Sequence, residues 1–193
     1  MNSEENLRER VENILGPQRY SHTLGVAETA RKLAEEYNLD ADSAYKAGLL
    51  HDICKGLSTA EMKEWLKDST WSLDLWEEEI PQLQHAPASA ARAEREFAVD
   101  DLKILEAIRY HSTGFAGMEK HISLLLVADK IEPGRSYSGI DELREIAFEN
   151  IDEAVRMICE NTIRYLLADN ALIHPNTILV RNSILRGQAL DDR

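Results

Sequence analysis

Helical periodicity runs through this sequence from end to end, and it leaves room for little but an all-helical fold. Apolar residues recur at three- and four-residue spacings, whereas alternating β-branched runs bounded by turns are nearly absent. Ser3 can cap a first helix that Gly16 and Pro17 end. A second helix is expected over 18–38, with Tyr20, Leu24, Ala27 and Ala34 turned inward, and a third follows Asp40 and stops at Gly56. Ser58-Thr59-Ala60-Glu61 reads as a capping box opening a fourth, which carries Met62, Trp65 and Leu66. Residues 71–80 form a short acidic piece closed by Pro81, and further helices are expected at 87–97, 101–111, 119–131, 141–150, 152–169 and 175–186. No repeat, low-complexity tract or Gly/Ser linker divides the chain. Its 193 residues suffice for a real core. The expectation is therefore one all-α domain over 1–193, in which the stretch from about 141 to 193 is a helical cover.

The formal net charge of −13 argues against polymeric nucleic acid and anionic membrane as partners, since both need a basic surface. A small, highly charged ligand is compatible with it, because a few local cations and metals can reverse the sign of one pocket. Cys54 and Cys159 lie far apart and form no motif, which points to a reducing compartment rather than a disulfide framework. The first residues lack the cationic flank and apolar run of a signal peptide, and the longest apolar stretch, 124–128, is too short to span a bilayer. A cytoplasmic location is expected.

Chemistry is concentrated in His22, His51-Asp52, His85, His111 and Asp129, each on or near a helix end. His22 shares a face with Val26, Ala30 and Leu33, and His111 ends a helix whose inward face includes Leu105 and Ile108. Asp129 follows Leu125 and Leu126 at i+4 and i+3, and an aspartate among so many apolar residues is costly to bury unpaired. A lone histidine on an apolar face is usually a hydrogen-bonded core residue, and His-Asp as a dipeptide is common by chance. The whole order H…HD…H…H…D is the informative feature. Imidazole and carboxylate without thiolate suit iron, manganese, zinc or magnesium, and two open-sided metals suit phosphoryl chemistry.

These residues sit in the blocks RYSHTLGVAETARKLAEEYNLD, AGLLHDICKG, QHAPASAA, AIRYHSTGFAGM, VADKIEPGRSYSGIDELRE and NTIRYLL…IHPNTILVRN, in order over nearly the whole chain. The pattern resembles the HD superfamily of metal-dependent phosphohydrolases, named for the doublet seen here as His51-Asp52. More narrowly it is similar to the bacterial YqeK-like group, the HD-domain symmetrical diadenosine-tetraphosphate hydrolases. The resemblance implies an HD-domain helical bundle with two divalent or mixed-valence metals in its core, often iron. His22, His51, Asp52, His85, His111 and Asp129 would be the ligands, with Asp52 as the bridge. The implied reaction cuts a dinucleoside tetraphosphate at its centre to two nucleoside diphosphates, diadenosine tetraphosphate giving two ADP by attack of a metal-bound hydroxide.

Cations and hydroxyls near the constellation complete the expected site. Lys55, in the form HDxxK, projects from the face of Asp52 at i+3 and can reach a phosphate, although a helix-end lysine favoured by the dipole would look the same. Arg19, one turn before His22, and Arg135, in a Pro-Gly loop, suit phosphate contact, yet solvated arginines are common. Ser112, Thr113 and Gly114 form a turn whose hydroxyls could bind phosphate oxygens, with Thr113 taken as the substrate contact; a plain helix stop explains them nearly as well. His121 and His174 fit no ligand position and read as structural or surface residues, and Trp65, Trp71 and Trp76 read as packing residues. The alternatives are an HD-type nucleotidase for nucleoside mono- or diphosphates, a nucleotide-binding regulator with little turnover, and a helical interaction protein whose histidines are structural. A small-molecule nucleotide is the expected partner, with a homodimer left open.

Overall fold

The computed structural model describes residues 3–187, and among them there are eleven α-helices, one 3-10 turn and no strand. In chain order the helices are α1 (Ser3–Ile14), α2 (Pro17–Glu36), α3 (Ala41–Leu50), α4 (Thr59–Leu66), α5 (Leu75–Glu79), α6 (His85–Phe97), α7 (Leu102–Tyr110), α8 (Lys120–Ile131), α9 (Ile140–Glu149), α10 (Ile151–Ala168) and α11 (Pro175–Leu185). The 3-10 turn, Pro81–Leu83, lies between α5 and α6. The expected Ser3 cap falls on a side chain outside the described ones. The all-α expectation holds, and the boundaries are set where local chemistry dictates. Pro17 opens α2 rather than only ending α1, because its missing N–H is one of those a first turn leaves unpaired. Asp40, Ser58, Asp101 and Asn150 accept N–H bonds at the starts of α3, α4, α7 and α10.

Three boundaries differ from expectation in ways that bear on the site. The third helix ends at Leu50, so His51 to Gly56 form the turns that follow it. The acidic piece 71–80 contracts to α5, because Asp74 accepts from the N–H groups of Trp76 and Glu77 and starts the helix there. The helix expected from residue 87 begins at His85, since Pro87 fits a first turn without losing an internal bond. Trp65 and Trp71 pack against the core, but Trp76 is 40% exposed on α5, against its reading as a packing residue.

Buried residues from Val11 to Val180 form one main cluster with α8 at its centre. Every residue of α8 from Ile122 to Asp129 is buried, the mark of a helix surrounded on all sides. Helices α2, α3 and α7 pack against α8, as does α10, which presents Ile151, Ala154, Val155, Ile158 and Cys159. The crossing of α2 and α3 is unusually close. A Cβ at Gly48 would meet the Ala27 Cα at 2.5 Å, so only glycine fits there. His22 and His51 lie five and three residues from that contact, and the crossing brings their rings to 5.6 Å.

Helix α5 is fastened to α7 by a buried ion pair. The Arg109 guanidinium donates to both Glu77 carboxylate oxygens at 2.6 and 2.7 Å and to the Ser72 carbonyl at 3.1 Å. Removing one partner strands a desolvated charge. Arg109→Met is expected to cost about 3–5 kcal/mol of folding stability, read from denaturant unfolding at fixed metal concentration. A loss below about 1 kcal/mol, the range of exposed pairs, would show that Glu77 finds another partner or water.

Candidate metal centre

His22, His51, Asp52, His85, His111 and Asp129 come from five parts of the bundle and meet at one place. His22 lies on α2, His51-Asp52 directly after α3, His85 at the start of α6, His111 directly after α7, and Asp129 on α8. His51 and His111 rings are 5.0 Å apart, and those of His85 and His111 are 5.1 Å apart. Ligand atoms of His22, His51 and Asp129 lie within 4.8 Å of one another, as do those of His51, Asp52 and His111.

Main-chain contacts decide the tautomers. The Nδ1–H groups of His51, His85 and His111 donate to the carbonyls of Gly48, Gln82 and Ile108 at 2.7, 2.8 and 2.7 Å. A carbonyl accepts only, so in the neutral rings each Nε2 carries a lone pair directed into the site. The His51 Nε2 is buried without a hydrogen-bond partner. The Nε2 atoms of His85 and His111 stand 3.1 Å apart, two acceptors facing each other. Such lone pairs, converging beside two carboxylates, are a donor set that suits a metal cation.

Burial keeps the His51 pKa low against the pull of Asp52 and Asp129. Burial, followed by the neighbouring His51 and His85, holds His111 well below the ordinary imidazole range. Asp52 and Asp129 move the other way. Burial opposes their ionisation but is outweighed, for Asp52 mainly by His51 and His85 and for Asp129 mainly by Lys130 and His22, so both lie well below the usual carboxylate range. Neutral imidazoles and ionised carboxylates are the protonation states that bind metal. The two Asp52 oxygens face different sides: Oδ1 is 3.2 Å from His85 Nε2 and 3.8 Å from His111 Nε2, whereas Oδ2 is 3.7 Å from His51 Nε2.

Cations surround this acidic centre. Arg19 donates to Asp52 at 3.3 Å, while Lys130 and Arg135 each approach Asp129 at 2.8 Å. Lys55 Nζ is 3.2 and 3.1 Å from the two ring nitrogens of His85, an equidistance that places the ammonium over the ring face. Lys55, His85, Ser112, Thr113, Lys130 and Arg135 all line one cleft of about 800 Å³, whose far walls include Ile80, Leu83, Tyr137, Tyr165 and Leu172. Thr113, expected as a substrate contact, is buried in the cleft wall, whereas Ser112 approaches the metal centre with its Oγ 3.0 Å from His111 Nε2. His174 caps α11 and meets Asp74 at 2.9 Å, and His121 meets Glu119 at 3.4 Å, outside the centre as expected.

Residues 19–134 match the HD domain, a span holding all six convergent residues. The chain belongs to the HD-domain family. It is 37% identical over 97% of its length to the whole of a Bacillus subtilis protein named bis(5'-nucleosyl)-tetraphosphatase, symmetrical. A Staphylococcus aureus protein of the same name is 36% identical, with 85% of each chain covered. A crystal structure from Clostridium acetobutylicum, described as a predicted HD superfamily hydrolase involved in NAD metabolism, superposes with a TM-score of 0.91. Its identity is 35%, covering 97% of this chain and 99% of that one. Within the HD-domain site, Lys130 and Glu132 are the residues that sequence reasoning passed over. Their positions next to Asp129 and one helical turn beyond it were the available signal.

Proposed function

We propose that this HD-domain chain hydrolyses dinucleoside tetraphosphates at the centre of the phosphate chain, diadenosine tetraphosphate giving two ADP. The observation that carries the reading is the convergence of inward lone pairs and ionised carboxylates at the end of a cleft lined by Lys55, Lys130 and Arg135. Similarity over 97% and 85% of the chain to proteins named symmetrical tetraphosphatases supports the substrate class. His22, His51, Asp52, His85, His111 and Asp129 would hold two divalent ions, and the two Asp52 oxygens face different members of this set. Iron is the metal proposed, and manganese, zinc and magnesium suit the same N/O donors. Bound there, such ions supply positive charge at phosphorus and water acidified to near neutrality.

The chain's own residues would position the substrate. Lys55, over His85 at the inner end of the cleft, is placed to hold a phosphate oxygen beside the metal centre. Arg135 and Lys130 on one side and Arg19 on the other would hold the flanking phosphates and the charge that grows on the leaving diphosphate. Thr113 and Ser112 bring hydroxyls to the same end. Tyr137, Tyr165 and Leu172 offer apolar surface to a nucleoside, and the expected helical cover from about residue 141 would supply one wall of the cleft through Ile158, Tyr165 and Thr177. No helix among the described residues is long and apolar enough to cross a membrane. A reducing cytoplasm suits the two buried free thiols, Cys54 and Cys159.

Hydrolysis of diadenosine tetraphosphate in oxygen-18 water, with products separated and weighed, tests the cleavage position. ADP alone, labelled once per turnover, is expected. AMP with ATP would put attack off-centre and overturn the proposal. Phosphate release from AMP with the tetraphosphate left intact would replace it with the nucleotidase alternative.

A further inference from the structure

Glu132 is buried just beyond the end of α8, three residues after Asp129, in a place built around its carboxylate. Its Oε1 lies 3.0 Å from His22 Nδ1, and its Oε2 accepts from the Gly134 main-chain N–H. Two glycines leave the space it fills. A Cβ on Gly25, three residues along α2 from His22, would meet Oε2 at 2.7 Å, and one on Gly134 would meet it at 3.0 Å. The turn is held from outside by Arg144, which donates to the main-chain oxygens of Ile131, Glu132 and Arg135 at 3.0, 3.1 and 3.1 Å.

We infer that Glu132 is a positioning residue for the metal centre, accepting the Nδ1 proton of His22 and so directing the His22 Nε2 lone pair toward the ion. The inference rests on the reading of His22, His51 and Asp129 as metal ligands. His51, His85 and His111 have main-chain carbonyls to fix their tautomers, whereas His22 Nδ1 meets this carboxylate instead. The competing acceptor, Asp129, lies slightly farther off at 3.2 Å from His22 Nε2, and its oxygens already receive Lys130 and Arg135 at 2.8 Å. In the neutral ring the proton therefore resides on Nδ1.

A carboxylate is required rather than any polar side chain. Its hydrogen-bond neighbours, the Gly134 N–H and the His22 Nδ1–H, are both donors, the Arg135 Nε stands a further 3.8 Å from Oε1, and a carboxylate accepts from both hydrogen-bonded groups. An amide has one acceptor oxygen, so in Glu132→Gln one neighbour must face an NH₂. The Gly134 N–H cannot change its role, but the ring can. Its proton would move to Nε2, where Asp129 accepts it and the metal-directed lone pair is lost.

The test uses the metal-free full chain under alkaline conditions, where nitrogen-15 NMR reads the neutral His22 tautomer, followed by titration with Mn²⁺. Wild type is expected to carry the proton on Nδ1 and Glu132→Gln on Nε2. Mn²⁺ affinity should fall roughly 10- to 100-fold in the variant, the usual effect of losing a histidine's supporting carboxylate. Gly25→Ala, whose methyl would displace the carboxylate without altering any polar group, should disturb the same tautomer and weaken Mn²⁺ in the same direction. It also provides the reading if Glu132→Gln does not fold. A wild-type tautomer with wild-type affinity in either folded variant, while wild type binds Mn²⁺, overturns this inference alone. Absence of Mn²⁺ binding by wild type overturns the metal reading together with it.

Discussion

Asp52→Ala is expected to lose most of its metal and nearly all turnover while keeping its fold. The carboxylate presents one oxygen to His85 and His111 and the other to His51, so on the proposed reading a single substitution would take a donor atom from both sides of the centre. Its side chain pairs with Arg19 and with imidazoles rather than with a main-chain group that shapes the bundle. Circular dichroism of the metal-free variant should therefore match wild type. Metal-derived stabilisation of the transition state is worth several kcal/mol, and each ~1.4 kcal/mol is tenfold in rate. The expected fall in kcat/KM is on the order of a thousandfold or more. Metal content by elemental analysis and turnover of diadenosine tetraphosphate are the two measurements. Full metal occupancy in Asp52→Ala would sink the assignment of this residue as a bridge, and wild-type turnover by a metal-depleted variant would sink the metal site as the seat of reaction.

The gathering of these six residues was legible in the sequence for a physical reason. Side chains on helix faces sit among residues whose periodicity marks the buried side, so His22 could be placed with Val26, Ala30 and Leu33, and Asp129 with Leu125 and Leu126. Cap residues were legible too, because capping is local: Asp40 and Ser58 act within three residues of where they stand. What stayed hidden depends on partners distant in the chain. Nothing about Gly48 announces that Ala27 will press against it, yet that contact sets the separation of His22 from His51. Glu132 resembles any acidic residue after a helix until α2 is laid across it and Gly25 proves to be the space it occupies. That the Ser112 hydroxyl faces His111 while Thr113 lies in the cleft wall is a matter of backbone direction rather than composition. Glu77 likewise reads as one of three successive acids, and only its pairing with Arg109 explains why it is buried.

Lys55→Met should separate catalysis from metal binding. The ammonium is no ligand: it lies over the His85 ring at 3.1–3.2 Å, at the junction of the metal centre and the cleft. Burial lowers its pKa and the neighbouring Lys130 and Arg19 act in the same direction, while Asp52 and Asp129 oppose them. A charge held in that position is directed at whatever anion enters the cleft. Methionine keeps an unbranched apolar stem, one atom shorter, and removes the charge and its donors, so the metals should remain at wild-type stoichiometry. The contact should strengthen as negative charge gathers on the phosphoryl oxygens, and deleting one such preorganised donor costs about 10²- to 10³-fold in kcat. The decisive quantity is how that loss divides. A fall in kcat with little change in KM marks an interaction made mainly in the transition state, whereas a rise in KM alone marks uniform substrate binding. Arginine is a poor substitute, because a planar fork at this site would have to displace the His85 ring or withdraw from it. Wild-type kinetics in Lys55→Met, with metals intact, would return the lysine to the role of a cation at the end of a helical turn.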